Sequence, residues 1–168
     1  MKNKILILFV LILLAVTSCQ NKIEIEKEEK AIIAVIENET KSYFARNFEQ
    51  QSKSFLQDES LIVLVAGKSS YGYAVGWEQI KKNYMINYQN HPKPLTDSIK
   101  NSDYKIKIYE KSAWAVYDEN VYSNEGDFLR KVINVRFLEK INDEWKIVFL
   151  SDVNTTSYEV KEKIGNEL

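Results

Sequence analysis

Residues 128–153 read FLRKVINVRFLEKINDEWKIVFLSDV, and the architecture hangs on this stretch. From Phe128 to Lys140 the pattern has period two. Leu129, Ile133, Val135 and Phe137 mark one face; Arg130, Val132, Asn134, Arg136 and Leu138 mark the other. Asn142-Asp143 is a turn, and Trp145, Ile147 and Phe149 resume the alternation to about Val153. Two long strands joined by a tight turn make an antiparallel hairpin.

Working outward, the strand signals continue toward the N-terminus. Ala113 to Tyr122 is rich in aromatics and Val, and Asn124-Glu125-Gly126-Asp127 is a turn. Asp118-Glu119-Asn120 reads as an exposed bulge or turn within that run. Tyr104, Ile106 and Ile108 alternate with polar neighbours. Asn90-His91-Pro92-Lys93-Pro94 breaks a helix predicted over Trp77 to Tyr88. Before it, Gly67 to Gly76 is a turn or hairpin. Leu61 to Ala66 (LIVLVA) is a continuous apolar run that reads as a buried strand. Phe48 to Asp58 predicts a short second helix. Glu24 to Asn47 predicts a long first one, with Ile25, Ile32, Val35/Ile36, Thr40 and Tyr43 at three- and four-residue steps. Helices first and antiparallel strands after define an α+β class, with helices packed on one face of a curved sheet.

The first twenty residues read as an address. Lys2 and Lys4 precede an apolar run from Ile5 to Val16 that is too short to span a bilayer. Val16-Thr17-Ser18-Cys19 resembles a bacterial lipobox. That resemblance implies removal of 1–18 and lipidation of Cys19, hence a membrane anchor, with several acyl chains holding far better than one. The alternative is an ordinary cleaved signal that leaves Cys19 as a thiol. Gln20 after the Cys points to the outer membrane, so the expected location is the cell envelope. The layout is then signal peptide 1–18, lipidated Cys and tether 19–27, one domain over 28–154, and a polar tail over 155–168.

Composition removes several functions. Lys plus Arg number 23 against 24 Asp plus Glu, with three arginines, so the basic footprint of a nucleic-acid binder is missing. One His and one Cys exclude zinc-ligand spacings and disulfide frameworks. No phosphate-binding loop or dinucleotide fingerprint is present, so no cofactor or metal is expected.

The domain resembles the nuclear transport factor 2-like superfamily, including its ketosteroid isomerase and SnoaL-like cyclase branches. The likeness spans about Glu28 to Val153. It rests on the long first helix, Gly76-Trp77-Glu78-Gln79-Ile80, Trp114-Ala115-Val116-Tyr117-Asp118, and above all Ile141 to Val148. It implies a cone: a bent sheet around helices, with an apolar pocket at the open end and homodimers through the outer sheet face. Family enzymes commonly use a pocket Asp. At the end of the first helix, where many relatives carry an Arg-Asp or similar pair, this chain has Arg46-Asn47. Asn is no carboxylate base.

Candidate pocket residues are Tyr43 and Asn47, four apart on the first helix, with Trp77, Tyr84, Trp114 and Arg136. The same aromatics equally suit a packed core. Arg130, Asn134 and Arg136 share a strand face that either grips an anionic group or lies outside. Asp152, at the end of the last strand, is the candidate base. His91, the only imidazole, has no nucleophile signature near it. The expected function is an anchored, non-catalytic domain that binds a small apolar or amphipathic molecule or a partner. The alternative is a cofactor-free isomerase, dehydratase or cyclase with Asp152 as base and Tyr43 or Tyr84 as hydrogen-bond donor. A dimerising envelope component with a filled core is the third possibility.

Overall fold

A computed structural model describes residues 24–67, 71–95 and 98–155. The expectations for 1–18, Cys19 and Gln20, and for the tail beyond 155, lie outside these residues. Helix α1 covers 24–44. It is followed by α2 (Phe48–Ser52), β1 (Ile62–Ala66), β2 (Tyr71–Val75) and α3 (Trp77–Asn90). Then come β3 (Ser98–Ile108), β4 (Ser112–Tyr122), β5 (Phe128–Ile141) and β6 (Glu144–Thr155). The six strands form one curved sheet in the order β2-β1-β6-β5-β4-β3. The expected α+β class, helices on a curved sheet, is the observed one.

The β5–β6 hairpin forms where the sequence predicts, with Ile141 opposite Glu144 across the turn, but a register shift between Phe137 and Leu138 breaks the Trp145-Ile147-Phe149 alternation, so Leu150 and not Phe149 is the next buried residue. Asn142 and Asp143 adopt the left-handed φ values of 49° and 64° that Asn and Asp tolerate best after Gly. Four features differ from the sequence reading. First, α1 ends at 44 and not at Asn47: Arg46 turns left-handed at φ 58°, and Asn47 caps α2 by accepting from the Gln50 amide at 3.1 Å. Second, α2 stops at Ser52, short of the predicted Asp58. Third, β4 runs unbroken through Asp118-Glu119-Asn120, so these residues are strand and not turn. Fourth, β3, strand from Ser98 as expected, is interrupted by a bulge between Ser102 and Lys105, where Asp103 has φ 56°.

One pairing also departs from the all-antiparallel expectation. β1 lies parallel to β6, with Val63 opposite Leu150 and Val65 opposite Asp152. An apolar run shows a strand but not the direction of its neighbour. That direction depends on the α3 crossover, which starts β3 antiparallel to β1, and on the three antiparallel steps of the meander that then bring β6 alongside β1.

The helices lie on one face of the sheet. Ile32 and Ile36 of α1 join Trp77 and Ile80 of α3 and Ala115, Leu138, Ile147 and Leu150 of the sheet in one buried cluster. Each large aliphatic side chain buried there contributes roughly 1.5–3 kcal/mol. At one end α1 is tied down by Glu28, which accepts from Lys140 Nζ at 2.8 Å and Trp145 Nε1 at 2.7 Å. The Lys140 bond, more than the other contacts, holds the Glu28 carboxyl below the usual range. Phe55 adds a parallel bridge to Ile147, closing this end. The other end of α1 stands away from the sheet, and that gap is the site.

Candidate functional site

The first helix turns Glu39, Thr40 and Tyr43 toward the sheet on the same stripe as Ile32 and Ile36. Opposite them, alternation places Val63 and Val65 of β1, Ala74 of β2, Glu119 of β4, Arg130, Val132 and Arg136 of β5, and Leu150 and Asp152 of β6 on the inner face. Tyr84 and Ile80 of α3 complete the wall. The space enclosed is about 480 Å3, within the range of small-molecule sites.

A polar chain runs through its floor. The Tyr88 hydroxyl donates to Gln51 Oε1 at 2.7 Å, and Gln51 Nε2 donates to Glu39 Oε1 at 2.9 Å. Arg136 Nη2 lies 3.6 Å from Glu39 Oε2, and Arg136 Nη1 donates to Asp152 Oδ1 at 2.8 Å. The same Nη1 reaches the carbonyls of Val135 and Ser151 at 3.2 and 3.3 Å. The guanidinium also stands 5.6 Å from the centre of the Tyr117 ring. With its side chain 2% exposed, Arg136 needs these partners, because an uncompensated buried charge costs several kcal/mol.

Burial shapes the acids in this end of the cavity. It raises the Glu39 carboxyl, against the opposing pull of Arg136. It pushes the Glu119 carboxyl up to about 7, with the Asp152 charge as the next cause. Burial likewise raises the Tyr84 hydroxyl well above its ordinary value, so it remains a proton donor at neutral pH. Chemically, the cavity offers apolar walls, a hydroxyl donor, and three carboxyl groups, Glu39, Glu119 and Asp152. Among the described residues no cluster of His, Cys, Asp or Glu is arranged to hold a metal ion, and no helix is long and apolar enough to cross a membrane.

Of the residues singled out from sequence, Tyr43, Tyr84, Arg136 and Asp152 line this cavity. Asn47, Trp77 and Trp114 do not. Asn47 is exposed, its side chain spent on the α2 cap. Trp77 is 8% exposed and stacks on Phe48 at 6.0 Å, a core contact. Trp114 lies on the outer face of β4, because its neighbours Ala113 and Ala115 fill the inward positions. Of the strand-face trio, Arg130 and Arg136 face the cavity. Asn134, 1% exposed, is buried among the sheet residues outside the lining. His91 is exposed at the C-cap of α3 and outside the lining.

Glu39 and Glu119 were missed from sequence. For Glu39 the signal was a carboxylate on the apolar stripe of α1. For Glu119 it was the parity of Ala113, Ala115 and Tyr117, which continues inward once the strand is read through.

No family model matches the chain, and no curated protein sequence does. Solved structures do match its shape. A nuclear transport factor 2-like protein with a cystatin-like fold from Novosphingobium aromaticivorans superposes with a TM-score of 0.66 at 13% identity, covering 87% of this chain and 94% of that one. The fold is the nuclear transport factor 2-like, cystatin-like fold. A candidate dehydratase of that family from Streptomyces avermitilis has a TM-score of 0.62 at 14% identity, over 79% of this chain and 99% of that one. A candidate calcium/calmodulin-dependent protein kinase type II association domain from Thiobacillus denitrificans has a TM-score of 0.60 at 9% identity, over 73% and 94%. In the nuclear transport factor 2-like fold the functions vary, so the site and not the likeness must carry the functional argument.

Proposed function

We propose that this chain is an exported lipoprotein, anchored through Cys19 to the cell envelope, whose domain binds a small amphipathic molecule without turning it over. The observation that carries the binding part is the cavity of about 480 Å3, apolar along its walls and charged at one end. An apolar body would lie against Val63, Val65 and Ile80, and a polar group would reach Glu119 and Asp152. Arg136 is already engaged by Asp152, Glu39 and two carbonyls, so it shapes the floor and is not a free anion receptor. Native mass spectrometry of the intact chain, purified without denaturant, is the direct test. A discrete retained mass is expected. It should be lost in Val63→Trp, which fills the cavity from its wall. A bare wild-type spectrum that stays bare with every lipid and metabolite extract offered would overturn the reading. For the anchor, Cys19→Ser should move the protein from the membrane pellet to the soluble fraction; an unchanged distribution would refute it.

A catalytic reading has one observation in its favour. Asp152 lines the cavity with Oδ1 held by Arg136, and Tyr84 lines the same cavity from α3. A base and a hydrogen-bond donor in one apolar space suit proton abstraction next to a carbonyl. The dehydratase name of one structural neighbour points the same way. Deuterium exchange into a retained ligand, abolished by Asp152→Asn, would favour this reading over simple binding.

The outward face of the sheet is proposed as the place where two copies meet. Leu129 and Phe137 are 49% and 42% exposed there, on the face that no described helix covers. The association-domain neighbour is in keeping with that. Phe137→Lys should convert a dimer to a monomer in light scattering, and a wild-type monomer at high concentration would remove the idea.

A further inference from the structure

The charges around the cavity do not all compensate one another. Asp152, Arg136 and Glu39 are joined in one network. Two groups are left over. Among the described residues, Glu119 and Arg130 line the same cavity yet make no hydrogen bond or ion pair with each other or with any other side chain. Their backbone positions explain the separation. Glu119 stands opposite Val132 on β5, so Arg130 is its diagonal neighbour on the inner face. Such diagonal positions lie about 7–8 Å apart. A carboxyl and a guanidinium, neither held in a hydrogen bond or ion pair, thus face one partly apolar space across a gap, with the Arg130 charge felt by Glu119 only through space.

We infer that the ligand is a small zwitterion with an apolar side group, an α-amino acid or a close amine-carboxylate relative, its ammonium on Glu119 and its carboxylate on Arg130. This rests on the binding reading above and narrows it to a chemical class. Each end of such a ligand makes a charge-assisted hydrogen bond with a group that has no partner among the described residues. The side group would pack on Phe44, Val65 and Ile80. Two further observations agree. Burial and the Asp152 charge hold the Glu119 carboxyl at about 7, and an adjacent ammonium would favour its charged form. Thr40 Oγ1 and Arg136 Nε, buried atoms of two wall residues, have no hydrogen-bond partner among the described residues. Polar groups brought in by a ligand can satisfy such atoms after small side-chain shifts.

The test is calorimetric titration of the intact chain with four probes of matched size: L-phenylalanine, 2-phenylethylamine, 3-phenylpropanoate and 2-phenylethanol. The zwitterion should bind at least about tenfold tighter than either singly charged probe, a charge-assisted bond being lost in each. Glu119→Gln should bring L-phenylalanine down to the level of the carboxylate, and Arg130→Met should bring it down to the level of the amine. The thermal melt of each variant is recorded alongside. If a variant does not fold, the four-probe ranking on the wild type still decides. Equal affinity for all four probes would overturn the zwitterion and leave the cavity as an apolar binder. Preference for one singly charged probe would overturn it in favour of that charge. No binding of any probe at millimolar concentration would overturn this inference, and the binding reading would fall with it only if the native mass spectrum also stays bare.

Discussion

Arg136 is the residue on which the cavity floor depends. It is 2% exposed and holds Glu39 and Asp152 from opposite sides. Arg136→Met should therefore cost about 3–5 kcal/mol in urea denaturation, because it leaves buried Glu39, and the partly exposed Asp152, without their counter-charge. Adding Glu39→Met should recover part of that loss, as removing both members of a buried pair is far milder than removing one. A double variant no more stable than the single would show that Asp152, and not Glu39, is the partner that matters. Glu119 supports a pH prediction. Its folded carboxyl sits at about 7 against an ordinary 4.5, so between those values the native state holds a proton that the unfolded chain releases. The stability contribution is full below about 4.5 and is lost as pH rises through about 7. Glu39 is shifted the same way. In Glu119→Gln the fall in unfolding free energy across that window should be shallower than in the wild type. Parallel curves would show that Glu119 titrates normally.

At the scale of elements, the junctions between helices set the mouth of the site. The chain leaves α1 through Arg46, whose guanidinium lies 5.1 Å from both the Tyr43 and Tyr88 ring centres and donates to Asn87 Oδ1 at 3.0 Å. Asn47 then starts α2. Asn47→Ala should cost about 1 kcal/mol through loss of that cap and leave ligand binding unchanged, since the residue is not in the wall. A loss of binding at unchanged stability would return Asn47 to the site. Gly76 begins α3 at φ 83°, with its amide donating to the Leu61 carbonyl at 2.8 Å. A Cβ there would meet only Glu59 at 3.8 Å, so space is not the obstacle. The left-handed backbone is, and Gly76→Ala should lower stability by about 1–2 kcal/mol in denaturant titration. A neutral outcome would mean that this turn relaxes.

The whole molecule divides its ends between stability and binding. Glu28, Lys140 and Trp145 fasten α1 to the β5–β6 hairpin at one end, and the cavity opens at the other. Truncations at the fastened end belong to stability. Trp145→Phe removes the indole donor from Glu28 and should lower the melting temperature without changing the probe ranking. A changed ranking would mean that the two ends are coupled through α1. Ligand at a hundred times its Kd should in turn stabilise the wild type by about 2.7 kcal/mol, read as a shift in melting temperature.

Much of this fold is legible in the order of residues. The hairpin from Phe128 to Val153, the helix from Trp77 and the long first helix each carry a period that one chain segment expresses by itself. Burying one face of a strand or helix demands that period, whatever lies opposite. The wall residues Tyr43 and Tyr84 share that legibility through their helical spacing, whereas Arg136 lies on a strand face whose side the sequence leaves open and Asp152 is turned inward by the register shift between Phe137 and Leu138. What only tertiary structure decided is which elements meet. The parallel β1–β6 pairing, the outward turn of Trp114 and the burial of Trp77 under Phe48 depend on neighbours far away in sequence. So does the role of Glu39, an ordinary helix carboxylate until Arg136, 97 positions later in the chain, arrives beside it. Periodicity is a property of one segment, whereas a binding site is made of distances between several, and those distances exist only once the sheet has closed over the helices.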